Sequence, residues 1–167
     1  MSMGSWLKAH RKQVITHTSI IVGVALLTVF VVEPLFDRWG EVAGESELCD
    51  VTLPPVSDNI EYFFDQFQAT AQVLELRGWA FIWGYDSLNT TIYIVLKSAY
   101  RTYVFTTEAE IREGVTASYK DLDLNLDYSG FSALIPTGKV ASGKYTVGIY
   151  IRKGDIEALE YDGETSL

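Results

Sequence analysis

The chain reads as an all-β protein, an antiparallel β-sandwich carried behind one N-terminal transmembrane helix. Three observations lead there. An apolar run occupies residues 13–32. From Ile60 onward apolar and polar residues alternate with period two, the signature of half-buried strands. Turn-forming Gly, Asp and Asn interrupt that alternation roughly every 8–12 residues, and no long amphipathic helix intervenes.

The apolar run comes first. Gln13 to Val32 is 20 residues without a formal charge when His17 is neutral. At about 1.5 Å per residue it reaches roughly 30 Å, the thickness of the hydrocarbon layer. Glu33-Pro34 closes it, and Phe36 and Trp39 stand where interfacial aromatics sit. A cleaved signal peptide has a shorter apolar stretch followed closely by a small-x-small site. Residues 13–35 are therefore expected to stay in the lipid bilayer as a signal anchor. Residues 1–12 hold Lys8, Arg11 and Lys12 and no acid, a charge of +3, against −12 for the remainder. The positive-inside rule then places the tail in the cytoplasm and the C-terminal domain outside the cell membrane. The expected order is a cytoplasmic tail 1–12, a membrane helix 13–35, a membrane-proximal linker 36–57 with the stiff Pro54-Pro55 pair, an extracytoplasmic sandwich 58–163 and a frayed tail 164–167.

Within the sandwich, Ile60, Tyr62 and Phe64 alternate with Glu61, Phe63 and Asp65 as a first strand. Gln72 to Trp83 is a second, with Gly78 and Gly84 as bulge or turn points. Of its residues, Trp79 and Phe81 share one parity and Ala80 and Ile82 the other, so one pair should face the core. Thr91 to Lys97 is rich in β-branched residues, and Ala99 to Thr106 is its hairpin partner through a tight turn near Lys97-Ser98. Val115 to Tyr119 reads as a short strand. Leu122, Leu124 and Leu126 alternate with Asp121, Asp123, Asn125 and Asp127 as another. Gly130 to Ile135, Lys144 to Arg152 and Ile156 to Tyr161 complete a set of about seven to nine strands, the number of an immunoglobulin-like sandwich.

Charge and residue inventory narrow the chemistry. An acidic domain is repelled by phosphate, so no nucleic-acid partner is expected. Both histidines, His10 and His17, precede the domain. That removes Ser-His-Asp and Cys-His catalysis and His-based zinc hydrolysis from it. No glycine-rich phosphate loop is present, and no cofactor is expected. Cys49 is the single cysteine, so no intrachain disulfide forms; a free thiol is the simplest reading. Asp121, Asp123 and Asp127, on one expected strand face, are calcium candidates, against a solvated acidic face that discourages edge pairing. Trp79, Trp83, Tyr85, Tyr100 and Tyr103 offer faces on which a sugar stacks, against the ordinary role of aromatics in strands and cores.

Several short stretches resemble a β-sandwich module of bacterial and archaeal cell-envelope proteins, often found with surface-polysaccharide glycosyltransferases. Gly78-Trp79-Ala80-Phe81 is similar to its opening strand. Ile92 to Leu96 with Thr102 to Phe105 is similar to its central hairpin. Arg112-Glu113-Gly114-Val115 stands where the module has Arg-Pro-Asp-Val, keeping the arginine and losing Pro-Asp. Ser129-Gly130-Phe131, Gly143-Lys144-Tyr145 and Gly148-Ile149-Tyr150 are similar to its closing strands. The resemblance implies an accessory, non-catalytic domain at the cell surface.

The expected function is thus a membrane-anchored interaction domain that binds an envelope glycan or a partner membrane protein. Trp83, Tyr85, Tyr100 and Arg112 are the candidate ligand-binding residues, and Arg112 is expected to pair with an acid and fix its loop. Two other readings compete: a structural subunit of a larger membrane complex, and a sugar hydrolase working with two carboxylates.

Overall fold

The computed structural model describes residues 21–24, 26–28, 30 and 44–167. They fall into two units, Met1–Ala43 and Gly44–Leu167, each described by itself. In the first, residues 21–24 and 26–27 are helical, and the Thr28 hydroxyl donates to the Val24 carbonyl at 3.0 Å. Ile21, Val22, Val24, Leu26, Leu27 and Phe30 are all exposed. Among the described residues no helix is long and apolar enough to cross a membrane. The tail 1–12 lies outside the described residues, as do most of the expected span 13–35 and the linker up to residue 43.

The second unit is a sandwich of nine strands in two sheets whose strand pairs are antiparallel. In chain order the strands are β1 (Leu48–Cys49), β2 (Ile60–Ala69), β3 (Val73–Ile82), β4 (Thr91–Lys97), β5 (Thr102–Thr106), β6 (Glu108–Glu110), β7 (Gly130–Pro136), β8 (Lys144–Lys153) and β9 (Ile156–Ser166). Sheet A has the order β2-β3-β7-β6 and sheet B the order β1-β5-β4-β8-β9. The alternation read from the sequence is what divides the faces. Leu74, Leu76, Ala80 and Ile82 of β3 join Ile92, Ile94 and Leu96 of β4 and Val147, Ile149 and Ile151 of β8 in the core between the sheets. The hairpin β4–β5 closes where expected, with the Ser98 amide donating to the Arg101 carbonyl at 2.8 Å.

The middle of sheet B is buried on both faces, which is why β4 reads Ile-Tyr-Ile-Val-Leu without a polar break. Tyr93, Val95, Val104, Tyr150 and Leu159 form a second apolar cluster on its outer side, covered by Cys49, Val51 and Leu53. The segment from Gly44 to Ser57, read from sequence as spacer, is therefore part of the sandwich. The Ser46 amide donates to Leu134 in sheet A, and Glu47 exchanges hydrogen bonds with Thr106 in sheet B. It covers two strand edges that would otherwise present unpaired backbone. The expected frayed tail is also corrected. Thr165 is buried, and Leu167 and Gly143 exchange backbone hydrogen bonds of 3.0 and 2.9 Å.

The larger correction concerns residues 111–129. They contain no strand. Glu113–Ser118 is a short helix, α1, and Lys120–Leu122 a 3₁₀ turn ending at Asp123 in the left-handed region. Val115 and Tyr119, four residues apart, both turn toward sheet A, a helical spacing rather than a strand one. With Leu122, Leu124 and the fully buried Leu126 they cover Trp79 and Phe81 on the outer face of β3. Both parity sets of that strand are thus occupied: Ala80 and Ile82 by the main core, Trp79 and Phe81 by this flap.

Candidate functional site

The edge of the flap leaves an open cleft of about 270 Å³ on sheet A, lined by Asp65, Trp79, Arg112, Gly114, Ser118 and Tyr119 among others. Its polar corner is built by an irregularity in β2. Phe64 pairs with Gly78 and Gln66 with Arg77, so Asp65 is an extra residue in the ladder, a β-bulge. Gly78 is needed opposite: a Cβ there would lie 2.1 Å from the Phe63 carbonyl oxygen. The bulge turns Asp65 toward Arg112, and Arg112 Nη2 stands 2.7 Å from Asp65 Oδ2.

Arg112 lies over the backbone of β7. A Cβ on Gly130 would meet its Cγ at 2.5 Å, so glycine there is what lets the guanidinium reach the sheet. Glu110 meets the same nitrogen, 3.3 Å from Arg112 Nη2, while Arg77 Nε donates to both Glu110 oxygens at 2.9 Å. The four side chains alternate in sign along one line. Arg112 Nε and Nη2 are buried without an aligned hydrogen-bond acceptor, so charge rather than directed hydrogen bonding holds this end. Its remaining nitrogen, Nη1, is the one left to meet a ligand. The Glu110 contact pushes the already high pKa of Arg77 further up.

The apolar wall is a run of rings. Phe63 stacks on Trp79 at 6.5 Å, Trp79 on Phe81 at 5.9 Å, and Tyr119 meets Trp79, Phe81 and Trp83 edge-on at 5.1–6.1 Å. The Tyr119 hydroxyl donates to Glu61 at 3.1 Å. Burial, then that hydrogen bond, pushes its pKa up, so the phenol is a neutral donor at ordinary pH.

Of the residues expected from sequence, Arg112 lines the cleft and Trp83 continues its ring wall. Arg112 pairs with acids, as expected of it. Tyr85 follows the Gly84 turn and is exposed at the start of the β3–β4 loop. Tyr100 is 95% exposed at the tip of the β4–β5 hairpin, beside a different groove toward Ala141–Tyr145. The face expected to gather Asp121, Asp123 and Asp127 does not exist, because the chain there winds as a turn and loop. Among the described residues no group of three or more His, Cys, Asp or Glu side chains is placed to hold a metal ion. Asp65, Ser118 and Tyr119 also line the cleft and are not among the residues the sequence pattern points to. For Asp65 a signal was present: the inward apolar series Ile60, Tyr62, Phe64 resumes at Phe67, three residues on instead of two, as a one-residue bulge requires.

No protein-family model matches the chain, and no curated protein or solved structure matches it significantly.

Proposed function

We propose that the protein is a membrane-anchored, non-catalytic accessory domain displayed on the outer side of the cell membrane, where it recognises an envelope glycan or a partner membrane protein. The cleft carries the recognition part. It joins a fixed charge network to a wall of aromatic rings, the composition of a binding site with few oriented polar groups on an apolar ground. The anchor is supported by the uncharged run 13–32 and by the apolar side chains exposed on the helical residues between 21 and 30. The basic tail before the run and the acidic excess after it support the outward orientation. An immunoglobulin-like assignment is supported by strand order. Sheet A follows the order A-B-E-D of that fold, and β5-β4-β8-β9 follows C′-C-F-G, with β1 added at the edge.

The test is made in a bacterial inner membrane. Alkaline phosphatase fused after Leu167 is active only outside the cytoplasm. Activity is expected for the parent chain, and a sharp fall when Lys8, Arg11 and Lys12 are changed to Glu. A photo-crosslinking residue at exposed Phe63, beside the cleft, is expected to capture a partner or glycan from intact cells. An inactive fusion would sink the orientation, and crosslinks only at distant control positions would sink the recognition surface.

A further inference from the structure

We infer that the cleft between β2, β3 and α1 is a subsite for one uncharged pyranose ring of a glycan. This rests on the recognition reading above and specifies its ligand. Three observations select that chemistry. The first is the pairing of functions within one small space. Trp79 and Tyr119, each half-buried, give the cleft an apolar wall against which the C–H groups of a sugar can pack. Asp65 and Arg112 stand at its rim, 2.7 Å apart, to accept from one hydroxyl and donate to a neighbouring one. Vicinal hydroxyls beside an apolar face are what a pyranose presents.

The second observation is that the polar groups are pre-positioned. The bulge fixes Asp65, Gly130 seats Arg112, and Glu110 shares Arg112 Nη2 with Asp65 while itself held by Arg77. Groups already ordered lose little freedom on binding, which a weakly binding single sugar needs. The third is charge. Asp65 and Glu110 balance Arg77 and Arg112, and Glu61 beside Tyr119 adds a negative charge. Residues 44–167 as a whole hold 19 acidic and 9 basic residues, a net charge of −10. The surrounding field opposes an anionic ligand such as a uronic acid or a phosphorylated sugar. An uncharged ring meets no such penalty.

The experiment uses the full chain in phosphatidylcholine nanodiscs, which avoid sugar-headed detergents. Methyl glycosides of glucose, galactose, mannose and N-acetylglucosamine, and the methyl glycoside of glucuronic acid, are titrated with saturation-transfer NMR and tryptophan fluorescence as readouts. Saturable binding of at least one neutral glycoside is expected, with the glucuronide weaker by about tenfold or more. Asp65→Asn is expected to weaken the neutral ligand about tenfold, the cost of one hydrogen bond to a charged group. Ser118→Trp, on the exposed face of α1, is expected to block the cleft without disturbing the core. Tyr100→Ala is expected to change nothing. Thermal unfolding checks that each variant is folded. The inference is overturned if no neutral glycoside binds, if the glucuronide binds as well or better, or if folded Ser118→Trp binds normally. If glycosides fail while the crosslinker at Phe63 captures a membrane protein, the recognition reading stands and the sugar inference falls. If both fail, both fall.

Discussion

Asp65 and Arg112 come from elements 47 residues apart in sequence, and their 2.7 Å contact exists because one strand carries one residue too many. The extra residue breaks the ladder between Phe64 and Gln66 and points its carboxylate across the sheet. Gly78 is the permissive partner. Gly78→Ala forces its new methyl against the Phe63 carbonyl, and neither backbone can yield without opening the bulge. The expected loss is about 1–3 kcal/mol, read from urea unfolding. Sugar binding should fall with it, since Asp65 loses its aim. Unchanged stability would show that the bulge relaxes freely.

The flap has its own keystone. Leu126 is fully buried against Phe81 and Val115, and its amide accepts support from α1 by donating to Thr116 Oγ1 at 2.8 Å. Leu126→Ala should cost about 2–4 kcal/mol. The loss should be local. Amide exchange should speed up across residues 113–127 while β4 and β8 stay protected, because those strands lie in the other sheet. Uniform acceleration across both sheets would contradict a separately packed flap.

The strands were legible where one rule governed them. β4 and β8 carry continuous β-branched and aromatic runs between turn residues, and their bounds follow from that pattern. Sequence pattern failed where tertiary cover replaced periodicity. Leu122, Leu124 and Leu126 do alternate with acids, but the alternation serves a 3₁₀ turn and a loop laid over Trp79 and Phe81, and only the existence of that exposed aromatic face makes the loop pack. Over residues 44–57 of the expected linker 36–57, the spacer reading fails for a related reason. Proline, acids and small residues look like linker, yet Val51 and Leu53 have an apolar patch on sheet B to cover. The sequence shows Arg112 as a charge that needs an acid, but the bulge hides that the acid is Asp65.

That cover has a practical consequence for the boundary of the domain. A chain beginning at Asp58 and ending at Gly163 loses the lid over Tyr93, Val95, Val104, Tyr150 and Leu159, and loses the edge strand β1. It also loses buried Thr165 and the Leu167–Gly143 pair. Each uncovered aliphatic or aromatic group forfeits on the order of 1 kcal/mol of burial. Residues 44–167 should therefore fold cooperatively, whereas 58–163 should melt at least roughly 10 °C lower or aggregate. Equal melting temperatures would return residues 44–57 to the status of a linker.

Glu160 gives the stability a pH dependence whose sign is unusual for a carboxylate. It lies on β9, where that strand approaches β2; the nearby Ile60 backbone amide favours its charged form, yet its Oε2 is buried without a partner. Burial, and then the negative charges of Asp58, Asp162 and Glu61, push its pKa above the ordinary 4.5. Tyr62 beside Asp162, its pKa pushed up to about 12 chiefly by burial, stays neutral and brings no positive charge to the cluster. The folded state thus binds the Glu160 proton more tightly than the unfolded state. By linkage, this carboxyl supports the fold most fully below 4.5, and its contribution declines as pH rises from there through the folded value. Glu160→Gln removes the charge while keeping an oxygen for the Ile60 amide. It should raise Tm by roughly 3 °C at pH 7, and the gain should vanish near pH 4, where the parent chain is already protonated. A gain of equal size at both pH values would mean that packing rather than charge sets the effect.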